Sequence, residues 1–253
     1  MPILPQGVCK RMKVFLAGTS IKEDILKEHQ IDYFLESFYS IKDWQIPYIH
    51  KAKMFLLDSG AFTFMNNFKG TVNWQEYIDK YADFIIKNNI KYFFELDIDV
   101  LVGHEKVKEY RRYLENKVGR KCIPVWHKSR GLEEWKRLTK EYDYVAIGGI
   151  VIKEIKPKDY KYFKPLLEIA KKNNCKVHGL GFTNLRKLKD YHFYSVDSTS
   201  WLSGGRFGQL YIFKDNTLKQ ISFNDKRIKD YMQSHHFNIE EWIKFQKYAD
   251  KYL

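Results

Sequence analysis

Groups capable of chemistry recur at the ends of short apolar runs in this chain. Asp58 ends FLLD, Asp97 lies in YFFELDID, and His127 ends KCIPVWH. Gly148–Gly149 end YVAIGG, His178 lies in KVHGLG, and Asp197 lies in FYSVDS. Two carboxylates opposed across one pocket suit substitution at a sugar anomeric carbon. One attacks to form a covalent glycosyl-enzyme, and the other moves protons at the leaving or entering group. The same logic covers hydrolysis and base exchange, so the carboxylates alone do not choose the acceptor. A glycine pair lets backbone amides and carbonyls approach a flat ligand. Each group also has a plainer reading. Asp58 and Asp197 suit turn or helix caps, the glycines suit a strand-to-loop turn, and the histidines suit a core. Their shared position favours chemistry, because unrelated turn residues need not fall at the same end of successive strands.

The apolar runs, bounded by turn residues, read as buried parallel strands, and most precede a helix-like stretch. That alternation predicts an α/β fold, here a (β/α)8 TIM barrel of irregular form, whose strand C-terminal ends surround one pocket. The length of 253 residues suits one such barrel. MKVFLAG (12–18) reads as the first strand and residues 22–41 as helical or mixed. Asn73 with Glu76 forms a capping-box pattern ahead of helically spaced Trp74, Tyr77, Ile78, Tyr81, Phe84 and Ile85. Asp97 and Asp99 alternate onto one face with Ile98 opposite. Further helices are expected over 105–118, 132–141, from Pro157 to Asn173–Asn174, and over 184–191. QLYIF, after Gly204–Gly205, is the candidate eighth strand, and DNTLKQISF adds a hairpin arm turning at Asp215–Asn216. Asn238 and Glu241 repeat the capping pattern before a final helix over 238–252. With no linker or repeat, residues 1–253 read as one domain with a peripheral leader at 1–11.

The net charge is +13, which fits a polyanion partner as well as a solvated lysine-rich surface. The 17% aromatic content adds base-stacking surface beyond the core. Cys9, Cys122 and Cys175 are far apart, without a CxxC or Cys/His cluster, so no metal site is expected. The odd cysteine count and the lack of a signal peptide or long apolar span predict a soluble cytoplasmic protein with no membrane partner.

The ordered motifs resemble the tRNA-guanine transglycosylase superfamily, most of all its phage relatives that put 7-deazaguanines into DNA. LDSGAF resembles the family's DSGGF/Y motif, and YVAIGGIVIKE its base-binding segment, including Glu154. LDID resembles the strand-end Asp that hydrogen-bonds the base. HGLGFTNLRKL resembles the segment that follows the sixth strand, and VDSTSWLSGGRFG the nucleophile segment, with Arg206 and Gly208. The resemblance implies Asp197 as nucleophile and Asp58 as general acid/base. It implies Asp97 reading a guanine-like edge, Gly148 and Gly149 touching the base through backbone groups, and Phe62 stacking on it. His178 falls where the family has an apolar stacking residue, and either His127 or Trp126 falls near a family Gln that contacts the base. Arg206 is the implied nucleic-acid contact. The implied activity replaces guanine in DNA with a preQ0-like 7-deazaguanine, without cofactor, ATP or metal.

The departures bear on the polymer. Nothing after Cys175 supplies the thiolates of the family's zinc subdomain, and Ser-Trp-Leu-Ser replaces its Pro-Thr-Arg after the nucleophile. Both tilt the expectation from tRNA to DNA, and towards a phage-encoded enzyme in an infected bacterium. The alternatives are the same exchange on tRNA, or a non-catalytic nucleic-acid-binding barrel. Inactive relatives usually lose a catalytic carboxylate, whereas this chain keeps both.

Overall fold

The computed structural model describes residues 11–60, 72–182, 184, 187–222 and 230–253, with only the backbone of Arg206 and Ser222. Its centre is a seven-stranded parallel sheet of β1 (Lys13–Ala17), β2 (Tyr33–Ser37), β3 (Met54–Asp58), β4 (Val125–Trp126), β5 (Tyr144–Ile147), β6 (Lys176–Gly179) and β7 (Ser195–Ser198). The spatial order is β3-β2-β1-β7-β6-β5-β4. A short segment, Tyr92–Glu95, runs between the two outer strands. Leu57 N donates to Tyr92 O at 3.0 Å and Phe94 N to Leu57 O at 3.0 Å. On its other side Ile123 N donates to Phe93 O at 2.8 Å and Glu95 N to Ile123 O at 3.1 Å. The buried Tyr81 hydroxyl lies 3.1 Å from Leu57 O and 3.0 Å from Phe94 O, stitching this junction from outside. The sheet therefore curls into a barrel-like α/β fold, short of a complete (β/α)8 barrel, because only isolated bridges join the segment to its neighbours.

Around the sheet lie α1 (Glu23–Glu28), α2 (Ile46–Lys51), α3 (Trp74–Lys87), α4 (Asp99–Val102), α5 (His104–Val118), α6 (Gly131–Glu141), α7 (Phe163–Lys172) and α8 (Ser203–Phe207). A hairpin of β8 (Gln209–Lys214) and β9 (Thr217–Ser222) precedes α9 (Tyr231–Tyr252). Alternation along the strands makes two cores. Phe15, Tyr33, Leu35, Met54, Leu56, Phe94, Ile123, Val125, Tyr144 and Ala146 fill the inside of the curl. Val14, Leu16, Phe34, Leu57, Val145, Val177 and Val196 face out, against helical side chains such as Ile78, Ile85, Trp135 and Leu138. By the same parity Asp58, His127, Gly148, His178 and Asp197 belong to the inner face. The helix at α3 starts as its sequence dictates: Asn73 Oδ1 accepts from Glu76 N at 3.2 Å, and Ile78, Tyr81, Ala82 and Ile85 are buried.

Several expectations are corrected. QLYIF is not the eighth strand of the barrel-like sheet; it pairs antiparallel with β9, turning at Asp215 and Asn216, both at positive φ. The strand missing from the sequence reading is β2, inside the stretch 22–41 read as helical or mixed. The expected strand at 92–99 stops early, and Asp99 begins α4. The last helix starts at Tyr231 rather than at 238, capped by Asp230, whose side chain accepts from Gln233 N. Asn238 and Glu241 sit inside it and serve β8 instead: Tyr211 N donates to Asn238 Oδ1 at 2.9 Å and Phe213 N to Glu241 Oε2 at 2.7 Å. Among the described residues, no helix is long and apolar enough to cross a membrane.

The helix α9 closes one end of the curl through Gln246. Its buried Nε2 donates to Val14 O at 2.7 Å and Tyr33 O at 2.8 Å, while its Oε1 accepts from Asp32 N at 3.2 Å. Gln246→Ala removes these three hydrogen bonds from buried backbone and should cost about 1–3 kcal/mol. Urea unfolding measures this; an unchanged midpoint would contradict the role given to Gln246.

Candidate active site at the strand ends

Asp197 is held from two sides. His178 Nε2 lies 3.1 Å from Asp197 Oδ1, and the same oxygen accepts Gly181 N at 2.7 Å. His178 is fully buried, its Nδ1 lies 2.7 Å from Ser195 Oγ, and Ser195 Oγ is hydrogen-bonded to Tyr144 OH. An ionised carboxylate only accepts, which assigns the tautomer with a proton on His178 Nε2. A consistent chain follows: Tyr144 OH donates to Ser195, Ser195 to His178 Nδ1, and His178 to Asp197. The imidazole is also enclosed by Phe15, Phe94 and Tyr144. The stacking role expected of His178 is thus corrected. A fully buried ring offers no face to a ligand, and this one positions Asp197.

Asp58 ends β3 in a different environment. Its Oδ1 accepts Gly60 N at 3.1 Å. Burial pushes its pKa up to about 6, and the charges of Asp97 and Asp197 push in the same direction against the Gly60 bond. Asp58 therefore feels both other carboxylates across the mouth of the curl. A carboxyl group that titrates near 6 can deliver a proton in one step and take one back in the next near neutral pH.

The third element is an ion-paired bridge. His127 Nε2 lies 2.7 Å from Asp97 Oδ1 and its Nδ1 2.9 Å from Glu154 Oε2. Burial opposes charge on this ring, but the two carboxylates outweigh it and raise the pKa to about 10. The hydrogen bond from His127 is the main cause that lowers Glu154 to about 2, and Ser129 N adds a bond to Glu154 Oε1 at 2.7 Å. Gly148 and Gly149 are what this bridge requires. A Cβ on Gly148 would stand 2.7 Å from Val125 Cγ1 and 3.0 Å from His127 Cε1. A Cβ on Gly149, at φ +80°, would stand 2.7 Å from Glu154 Oε2. Of the two residues weighed at this strand end, His127 is the one on the inner face. Trp126 faces outward, donates Nε1 to Gly131 O at 2.8 Å and packs edge-on against Trp135.

Sequence reasoning missed Arg130 and Glu95. Arg130 is buried, with Nε 3.1 Å from Asp99 Oδ2, Nη1 3.1 Å from Glu95 Oε1 and Nη2 3.9 Å from Asp97 Oδ1. Arg111 Nη1 reaches the other oxygen of the wholly buried Glu95 at 3.4 Å. The signal was a Glu inside the apolar run YFFELD, since a buried carboxylate demands a cation. Asp97, Asp99 and His127 bring ligating atoms within 4.8 Å of one another. Arg130 and the doubly bonded His127 already supply positive charge there, so this trio is a poor metal cradle.

Glu36, at the end of β2, is a further buried carboxylate, accepting from Thr19 Oγ1 at 3.2 Å, Ser20 N at 2.8 Å and Gln45 Nε2 at 3.3 Å. Phe62 lies outside the described residues, as does the side chain of Arg206, whose backbone belongs to α8. The structure thus brings Asp58, Asp97, His127, Gly148, Gly149, His178 and Asp197 to one end of the sheet. No protein-family model matches the chain, and no curated protein matches it.

The bridge carries a pH signature. The folded-state pKa of His127, about 10, lies above its ordinary value of 6.5. Its stabilisation is therefore fully present below pH 6.5 and is lost as pH rises through about 10. Imidazole nitrogen NMR should find both His127 nitrogens protonated at pH about 8, well above the ordinary imidazole range. A His127 ring that titrates like a free imidazole would contradict the bridge.

Proposed function

We propose that this chain is a base-exchange transglycosylase that replaces guanine in DNA with a 7-deazaguanine. The observation that carries the proposal is the pair of strand-end carboxylates in contrasting environments. Asp197 is fixed as an acceptor by His178 and Gly181, while burial lifts Asp58 to about 6. One is suited to nucleophilic attack and the other to proton transfer. The ordered motifs described above supply the choice of a nucleobase as leaving and entering group. The finer fold reading, a (β/α)8 barrel with Tyr92–Glu95 as its rudimentary stave, belongs to the same proposal and draws support from the two bridges that join it to its neighbours.

In the first half-reaction an Asp197 oxygen bonds to the anomeric carbon, the bond from that carbon to the guanine nitrogen breaks, and protonated Asp58 gives its proton to the departing guanine. In the second, the ring nitrogen of a 7-deazaguanine attacks the same carbon. Its proton passes to the Asp58 carboxylate, and the bond to Asp197 breaks. Two displacements retain configuration. Asp97, backed by His127, would read the base edge, with Gly148 and Gly149 beside it. Phe62 would stack on the base and Arg206 would contact phosphate. In a duplex the target base must leave the stack, which costs a few kcal/mol and favours unpaired DNA. The +13 net charge suits phosphate binding.

Protein incubated with DNA or tRNA and a labelled 7-deazaguanine should label DNA, and Asp197→Ala should abolish labelling. Labelling of tRNA alone would move the activity to that polymer, and normal labelling by Asp197→Ala would remove the nucleophile. Guanine release should fall as pH rises above about 6 with deprotonation of Asp58. Asp58→Asn should be slow and lack that limb; an unaltered profile in this variant would exclude Asp58 as the acid.

A further inference from the structure

A second cluster of ligating side chains stands apart from the strand ends, where the C-terminal end of α1 meets the first turns of α9. His29 Nε2 lies 2.9 Å from His236 Nδ1, and His236 Nδ1 lies 3.4 Å from Glu28 Oε2. One ligating atom from each residue falls within 4.8 Å of the others. Two of the three sit on helices, and the third is a helix cap. Glu28 is the last residue of α1, and His29 caps it, donating its backbone N to Ile25 O at 3.2 Å. His236 belongs to the second turn of α9. Both histidines are half-buried.

We propose that Glu28, His29 and His236 form a binding site for a divalent transition metal of the zinc type. Two imidazoles and a carboxylate are the nitrogen–oxygen donor set of such ions, whereas magnesium and calcium take oxygen. The spacing agrees. Ligands about 2.0–2.1 Å from a tetrahedral zinc stand roughly 3.3–3.4 Å apart. The histidine–glutamate separation already has that value, and the two imidazoles need to part by only about half an ångström, within reach of small side-chain rotations. Two ring nitrogens that face each other can share one proton, whereas a metal satisfies both lone pairs at once. Glu240 stands one turn beyond His236 on the same helix, and it or solvent would complete the coordination.

The site would be structural. The first turns of α9 carry the segment that follows Asp197. Asn238 Nδ2 donates to Trp201 O at 3.0 Å, and the His235 ring stands edge-on to Trp201 with centroids 5.7 Å apart. Gly204 and Gly205 press on the same turns: a Cβ on Gly204 would stand 2.3 Å from Ser234 Oγ, and one on Gly205 3.0 Å from Tyr231 Cβ. A metal on His236 would tie this support to α1, and so to the β1–β2 connection.

The test titrates chelator-treated protein with Zn2+ by calorimetry and with Co2+ by visible absorption. One equivalent should bind, with Co2+ bands of tetrahedral intensity and a raised melting temperature with Zn2+. His29→Gln and His236→Gln should each weaken binding at least about tenfold, while their metal-free melting stays like that of the native chain. Asp99→Asn should bind as the native chain does. Absence of stoichiometric binding, or binding lost in Asp99→Asn and kept in His236→Gln, would overturn the site. Should the histidine variants not fold, zinc-edge X-ray absorption of the loaded native chain decides. Two imidazole ligands support the site, and none or one overturns it.

Discussion

The imidazolium of His127, held between Asp97 and Glu154, is the interaction on which the mouth of this sheet depends. It gathers three loops that alternation alone would leave independent: the turn after Tyr92–Glu95, the end of β4, and the turn after β5. Its demand for space explains a glycine pair that would otherwise read as a simple turn. Arg130 continues the network beneath it to Glu95 and Asp99, so that four carboxylates share an imidazolium and two guanidinium groups. Removing one member of so buried a set leaves an uncompensated charge, which costs far more than the pair contributes.

Against this fixed background the two proposed reacting carboxylates differ by environment alone. Asp197 receives a proton donor from a fully buried histidine and another from a backbone amide. Asp58 receives backbone amides, is desolvated by burial and feels the repulsion of Asp97 and Asp197. The same side-chain chemistry is thereby set apart: Asp197 is an oriented hydrogen-bond acceptor, and the pKa of Asp58 is pushed up to about 6. The chain from Tyr144 through Ser195 and His178 also explains why a polar trio lies inside an otherwise apolar core: each member satisfies the next, so none is left unpaired.

Much of this was legible in the sequence because strand alternation fixes parity. Asp58, His127 and Gly148 each follow inward apolar residues, His178 and Asp197 each follow an outward valine, and all five share the inner face. What failed were matters of partnership. Apolar composition could not tell that QLYIF pairs with its own hairpin rather than with the sheet. The segment YFLES was hidden by the helical pattern before it and by Glu36, whose partners lie on other segments. Asn238 and Glu241 have the types and spacing of a cap, but their hydrogen bonds go to β8. Arg130 sits in a short KSRG stretch that looks exposed; it is buried because Glu95 and Asp99, distant in sequence, need its charge.

The central claim is that Asp197 carries the sugar during exchange. Its most direct test is to trap the intermediate: incubate the protein with guanine-containing DNA without an incoming base, quench with denaturant, and locate any DNA-linked peptide by mass spectrometry. The account predicts a denaturant-stable adduct on the peptide containing Asp197, absent in Asp197→Asn and discharged when a 7-deazaguanine is added before quenching. An adduct on Asp58, or exchange that proceeds with no adduct at any time, would contradict it.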